Sequence, residues 1–178
     1  MTAKSSAARR QKQGPAANNP LPDRPLDRVD RQILRRLQED GRQSISDLAA
    51  EVHLSVSPCL ARVRRLEHRG YITGYFAHLD PARMGLNLLA IMAVQMDRTT
   101  PDVFEGFRHS MHAFDEVLEC LMVGGGFDYL VKVRVKDMSG FRRFLEGKMG
   151  HVKGVQHTHT YFVIEEVKAT HRLLVGNL

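Results

Sequence analysis

At Pro81–Asn87 the hydrophobic pattern of the chain changes period. Before this stretch, large apolar residues recur every three or four positions; after it, segments such as Tyr129–Val135 (YLVKVRV) alternate two by two. A helical period puts one stripe inward, whereas alternation puts one face of a strand inward, so the two halves are differently built modules. With 178 residues and 43% hydrophobic composition, each module can bury a core of its own. The expected organisation is an arm over 1–25, a helical domain over 26–76, a linker over 77–87 and a mixed domain over 88–178.

The helical domain reads as three helices. Asp27 is placed to cap a helix carrying Val29, Ile33, Leu34 and Leu37 that ends at Gly41. Ser44, with Asp47 three residues later, has capping-box spacing, and Leu48, Ala49 and Val52 form the inner face of the helix it opens. After a turn at His53 and Leu54, a second helix of the pair starts near Ser55 or Ser57. Its inner side is expected to hold Val56, Cys59 or Leu60, Val63 and Leu66. Gly70 stops it, and the partly alternating YITGYFAHL, with Gly74 as a turn signal, reads as a wing hairpin or a strand leading out.

The outer side of that helix shows Ser57, Pro58, Ala61, Arg62 and Arg65, small polar groups followed by arginines one turn apart. Such a face suits a helix whose N-terminal end enters the DNA major groove. Charge points the same way: residues 1–76 hold 14 Lys and Arg against 8 Asp and Glu, while the remainder holds 12 of each. Phosphate contact is mainly Coulombic, so a basic module beside a neutral one indicates a polyanion partner for the first only. The candidate DNA contacts are Ser44, Ser55, Ser57, Pro58, Arg62, Arg64 and Arg65, with bases read by Ser57, Arg62 or Arg65. One member of Arg35–Arg36 and of Arg64–Arg65 is assigned to phosphate. The arm, with Lys4, Arg9, Arg10 and Lys12 among four prolines, is expected to be disordered and to add nonspecific phosphate affinity.

From Leu88 the order is strand, helix, strand, strand, helix, strand. LLAIMAVQM is an apolar strand, Pro101 opens a helix with Val103, Phe104 and Phe107, and VLECLMV and YLVKVRV are strands. A helix with Met138, Phe141, Phe144 and Leu145 follows, and the last strand is expected over about 155–167. This βαββαβ order is the ferredoxin-like motif, so the fold class is α+β. Both helices of that motif cover one face of the sheet; pairing with a second copy is the simplest cover for the other, and a homodimer is expected.

Taken together, LDRVDRQILRRLQEDGR, SPCLARVRRLEHRGYITGY, EVLEC, FDYLVKVRVKDM and YFVIEEVK, in this order and spacing, resemble the leucine-responsive regulator family (Lrp/AsnC type, or feast/famine regulators) from Leu26 to Leu174. The resemblance implies a transcription factor with an N-terminal helix-turn-helix and a C-terminal ferredoxin-like effector domain, assembled as dimers and often octamers. It also implies an amino-acid effector bound between dimers near the loop Gly124–Tyr129. The implied effector contacts are Met122, Gly124, Gly125, Gly126, Asp128, Tyr129, Thr158 and Tyr161. The chemistry suits this: glycine lets backbone N–H groups turn to a carboxylate, and Asp128 offers a partner for an ammonium. The same glycines would equally serve a plain hairpin turn. The chain departs from the family at Gly126, where an acidic residue is common, and at His53, where glycine is usual.

Other chemistries find little footing. His157 and His159 share a strand face near His151 and His171, but no metal-ligand spacing is completed, so neither metal nor cofactor is expected. GGGFDY lacks the third glycine and the Lys-Ser/Thr pair of phosphate loops, and no catalytic constellation stands out. An effector-independent architectural nucleoid protein remains an alternative reading, and an enzyme built on the sheet domain a weaker third. Cys59 and Cys120 form no disulfide framework, and no apolar run approaches the roughly 18 residues of a membrane span. The expected setting is therefore the cytoplasm, on the nucleoid.

Overall fold

The computed structural model describes residues 25–98 and 100–176. Apart from Pro25, the basic arm lies outside the described residues. The described residues divide into two compact units: one comprises 25–76 together with 172–176, the other the described part of Ala77–His171.

The first unit holds α1 (Arg28–Glu39), α2 (Ile45–Glu51) and α3 (Val56–His68). Asp27 caps α1 through a capping box with Asp30, and Ser44 Oγ accepts from the Asp47 N–H at 3.1 Å to cap α2. Ile33, Leu48, Ala49, Val52, Cys59, Val63 and Leu66 form its core. His53 sits at φ 55, so it takes the left-handed conformation that a glycine would adopt at lower cost. Gly70, at φ 73, ends α3 in a Schellman motif: its N–H donates to Glu67 O (2.9 Å) and that of Tyr71 to Leu66 O (3.0 Å).

Three expectations change in this unit. Val56 is not inward; it is the first residue of α3, lies beyond the packed turn of Cys59, Val63 and Leu66, and is 48% exposed. Residues 71–79 form no strand among the described residues; Tyr75 is instead held by donating its hydroxyl to Glu67 Oε1 at 3.0 Å. Residues 172–176, expected in the sheet domain, pack on α1. There Leu173 exchanges hydrogen bonds with the Gln38 side chain, and Arg35 Nε donates to Val175 O at 2.9 Å.

The second unit is the expected βαββαβ: β1 (Leu88–Met96), α4 (Pro101–Ala113), β2 (Val117–Met122), β3 (Tyr129–Val135), α5 (Met138–Gly147) and β4 (Val155–Phe162), with a 3-10 turn at Met149–His151. The strands form one antiparallel sheet in the order β2-β3-β1-β4. Ala90, Met92, Val94 and Met96 of β1 and Tyr129, Val131, Val133 and Val135 of β3 pack against Phe107, Met111, Phe141 and Phe144 of the helices. Burying each of these large side chains contributes about 1.5–3 kcal/mol before entropy is subtracted. β4 ends at Phe162, short of the expected 167: Phe162 pairs with Ala90, Val163 N–H reaches Leu89 O, and since β1 begins at Leu88 it has no residue opposite 165–167. Among the described residues no helix is long and apolar enough to cross a membrane.

Candidate functional site

The site on the first unit is the outer face of α3. Ser57, Pro58, Ala61, Arg64 and His68 are all exposed and lie at helical spacing along one stripe. Arg64 makes no hydrogen bond or ion pair among the described residues, so its guanidinium is available to a partner. Ser44 and Ser55 are also exposed, but the Ser44 hydroxyl is engaged, accepting from the Asp47 N–H and donating to Asp47 Oδ2 at 2.6 Å.

Arg62 and Arg65 are placed differently from the expected base-reading position. Arg62 Nη1 bonds Asp27 Oδ2 at 2.6 Å and Asp30 Oδ1 at 2.8 Å, and Arg65 Nη2 bonds both oxygens of Asp30 at 2.6 and 2.7 Å. Asp30 is only 3% exposed. A buried carboxylate needs such partners to offset lost hydration, so the two arginines brace α3 against the start of α1. Burial pushes the Asp27 carboxyl up, but the Arg62 guanidinium and the Asp30 N–H outweigh it and hold Asp27 below its ordinary value. The brace was readable as two Asp at i, i+3 facing two Arg at i, i+3, although nothing local says they meet. The paired arginines on α1 are likewise engaged, Arg35 with Val175 O and Arg36 with Glu39 and Glu51.

On the second unit, the loop after β2 exposes Gly124, Gly125 and Gly126, and a Cβ at any of the three would meet open space. Asp128 pins the loop to β1: its Oδ2 accepts from Met96 N–H at 2.7 Å and its own N–H donates to Val94 O at 3.0 Å. The eight expected effector residues do not converge within one chain. Met122, Tyr129, Val94 and Thr158 form one row across the sheet, and β2 and β4 are its opposite edges. Three strand spacings separate Met122 from Thr158, about 14 Å. Tyr161, three residues beyond Thr158 on β4, points to the opposite face. Met122 and Tyr129 face the helix side and line a cleft with Arg108, which the sequence reading missed because a lone arginine on a helix carries no spacing signal.

Residues 26–73 match the family model of a winged helix-turn-helix DNA-binding domain, and residues 89–173 that of the Lrp/AsnC ligand binding domain. Leucine-responsive regulatory protein of Escherichia coli (strain K12) is 47% identical over 154 residues, 86% of this chain and 94% of that one. A transcriptional regulator of Neisseria meningitidis, solved as an L-Met complex, superposes with a TM-score of 0.80 at 38% identity, covering 84% of this chain and 96% of that one. A feast or famine regulatory protein of M. tuberculosis, complexed with L-methionine, gives 0.74 at 30% identity over 84% and 99%.

Proposed function

The chain belongs to the Lrp/AsnC family of DNA-binding transcriptional regulators, and from that premise we propose that the exposed stripe of α3, led by Arg64, reads the major groove of double-stranded DNA. The observation that carries this assignment is the contrast between Arg64, unengaged and outward, and Arg62 and Arg65, spent on Asp30. Ser57 and Pro58 sit at the helix start, where a recognition helix meets base edges, and the positive charge of the first 76 residues supplies phosphate attraction. Arg64→Ala is expected to weaken binding to the cognate site by about 1–3 kcal/mol, to relax sequence preference and to leave the thermal midpoint in place. Equal loss on every sequence in a competition binding assay would reduce Arg64 to a phosphate contact.

The second unit binds an amino acid at the Gly124–Asp128 loop. The ligand-binding match over residues 89–173 and the methionine complexes of two relatives support this, and make L-methionine the first effector to titrate. Thr158 and Tyr161, on the far edge of the same sheet, join the site only when a second copy brings its β4 to this loop. The working particle is therefore a homodimer or a tetramer or octamer built from dimers, acting on the nucleoid in the cytoplasm. Effector binding shifts the balance between assemblies by its differential affinity for them. A second reading, an architectural protein without effector, draws on Gly126: a side chain would fit there, so packing does not account for the missing acidic group. Insensitivity of DNA binding and assembly to all twenty amino acids would favour it.

A further inference from the structure

The sheet face turned away from α4 and α5 carries two titratable side chains that neither the DNA stripe nor the glycine loop uses. Register sets His157 opposite Gln95, His159 opposite Ala93 and Tyr161 opposite Ile91. Strand alternation puts all three on the side of the sheet away from Met92 and Val94, which pack under the helices. Both histidines are exposed, and the His159 ring lies 4.7 Å from that of Tyr161. An aromatic ring this near is a favourable neighbour for an imidazolium, so one chain in water tolerates the charged form.

The other charges of this face are balanced among themselves. Lys132 and Arg134 of β3 both pair with Glu166, and Glu119 of β2 stands in register with Lys132. Past the strand ends, Asp128 accepts from the Met96 N–H and Asp97 pairs with Arg98. The open-side residues of β1 and β4 include no carboxylate. Hydrogen bonding from Arg134 holds the Glu166 carboxyl below its ordinary value, so it stays ionised where imidazoles titrate, between about pH 5 and 8. Protonation of His157 and His159 therefore adds positive charge that nothing on their own or the adjoining strand offsets.

We propose that pairing of two copies through this face is proton-linked: the face assembles with His157 and His159 neutral, and protonating them drives the copies apart. This rests on the homodimer reading given above. A two-fold axis lays the same patch of a second copy over the first, so the imidazoles of both copies leave water together. A covered cation without a counter-charge is costly, whereas a covered neutral imidazole is cheap. Assembly is therefore complete above the imidazole range and is lost as pH falls through it. For each imidazole that sheds its proton on being covered, the dissociation constant rises about tenfold between pH 8 and pH 5.5. Particles that come apart no longer hold two recognition helices together, so the proton reaches DNA binding through assembly.

Sedimentation velocity of the full-length protein at constant ionic strength, near the concentration that half-assembles it at about pH 8, tests the linkage. Wild type is expected to shift to the monomer by about pH 5.5 while keeping its helical circular dichroism. His157→Gln combined with His159→Gln changes only exposed side chains and should stay assembled over the whole range, because a neutral amide replaces each imidazole. Either single variant should show a shallower pH dependence than wild type. Wild-type assembly that ignores pH overturns the linkage and leaves the homodimer standing, whereas a monomer already at pH 8 at every accessible concentration removes both. The linkage also falls if the double variant dissociates with acid as wild type does, which would give the proton to another group, or if the circular dichroism is lost along with the assembly, which would make the transition unfolding.

Discussion

A single buried carboxylate explains why two of the four arginines on and just after α3 are held within the chain. Asp30 is drawn out of water on α1, and without Arg62 and Arg65 its charge would be uncompensated. Asp27 extends the brace while capping the helix, so one side chain serves both the local and the tertiary structure. The linkage has a definite sign. A carboxyl held below its ordinary value stabilises the fold fully above the unfolded pKa, about 4, and that contribution is lost as pH falls through the folded value. Between about pH 5 and pH 2, Asp27→Asn should therefore show a shallower fall in unfolding free energy than wild type, with the two converging at the acid end. Parallel curves in urea titrations at stepped pH would remove Asp27 from the acid response.

At the scale of elements, the strongest periodicities were the most legible. The alternation of YLVKVRV appears unchanged as the inward and outward residues of β3, because a central strand packed on one face has its pattern dictated by that packing. The end of β4 was not legible: whether residues 163–167 pair depends on where β1 starts, and β1 lies some seventy positions away. The brace on α3 was hidden for the same reason, since Arg62 meets Asp30 only once α1 and α3 are packed. The spread of the expected effector residues over β2 and β4, the opposite edges of one sheet, is likewise invisible in a list of positions. The turn into β4 illustrates a constraint that composition conceals. Gly154 has φ 85, and a Cβ there would lie 2.3 Å from Val103 Cγ1 of α4. Gly154→Ala meets both backbone strain and a clash with a packed helix, and should cost about 1–3 kcal/mol in urea unfolding of the sheet unit. A wild-type midpoint would mean that α4 gives way freely at this turn.

For the whole molecule, the decisive surface is the sheet face that α4 and α5 leave open. By register it carries Leu121 beside Leu130 and Ala93, with Ile91 beside Tyr161, and Leu121 and Tyr161 are 45% and 58% exposed. Lys132, the cross-strand partner of Ile91, and His159, that of Ala93, stand among these apolar groups, and self-pairing about a two-fold axis would cover the face with the same patch of a second copy. Lys132 and Arg134, on the same side of the inner strand β3 as Leu130, pair with Glu166 and set a charged group within that face. One recognition helix spans only a few base pairs, so tight and selective DNA binding depends on two heads held together. Leu121→Asp combined with Tyr161→Asp changes only side chains that are exposed in one chain, so the fold should survive while the face becomes charged. Sedimentation should then show the monomer, and affinity for a two-half-site operator should fall on the order of a hundredfold, whereas affinity for a single half-site stays constant. If the double variant still sediments as the wild-type assembly, the open face is not what joins the copies. If it becomes monomeric with operator affinity intact, each head reads DNA alone, and assembly serves the effector rather than recognition.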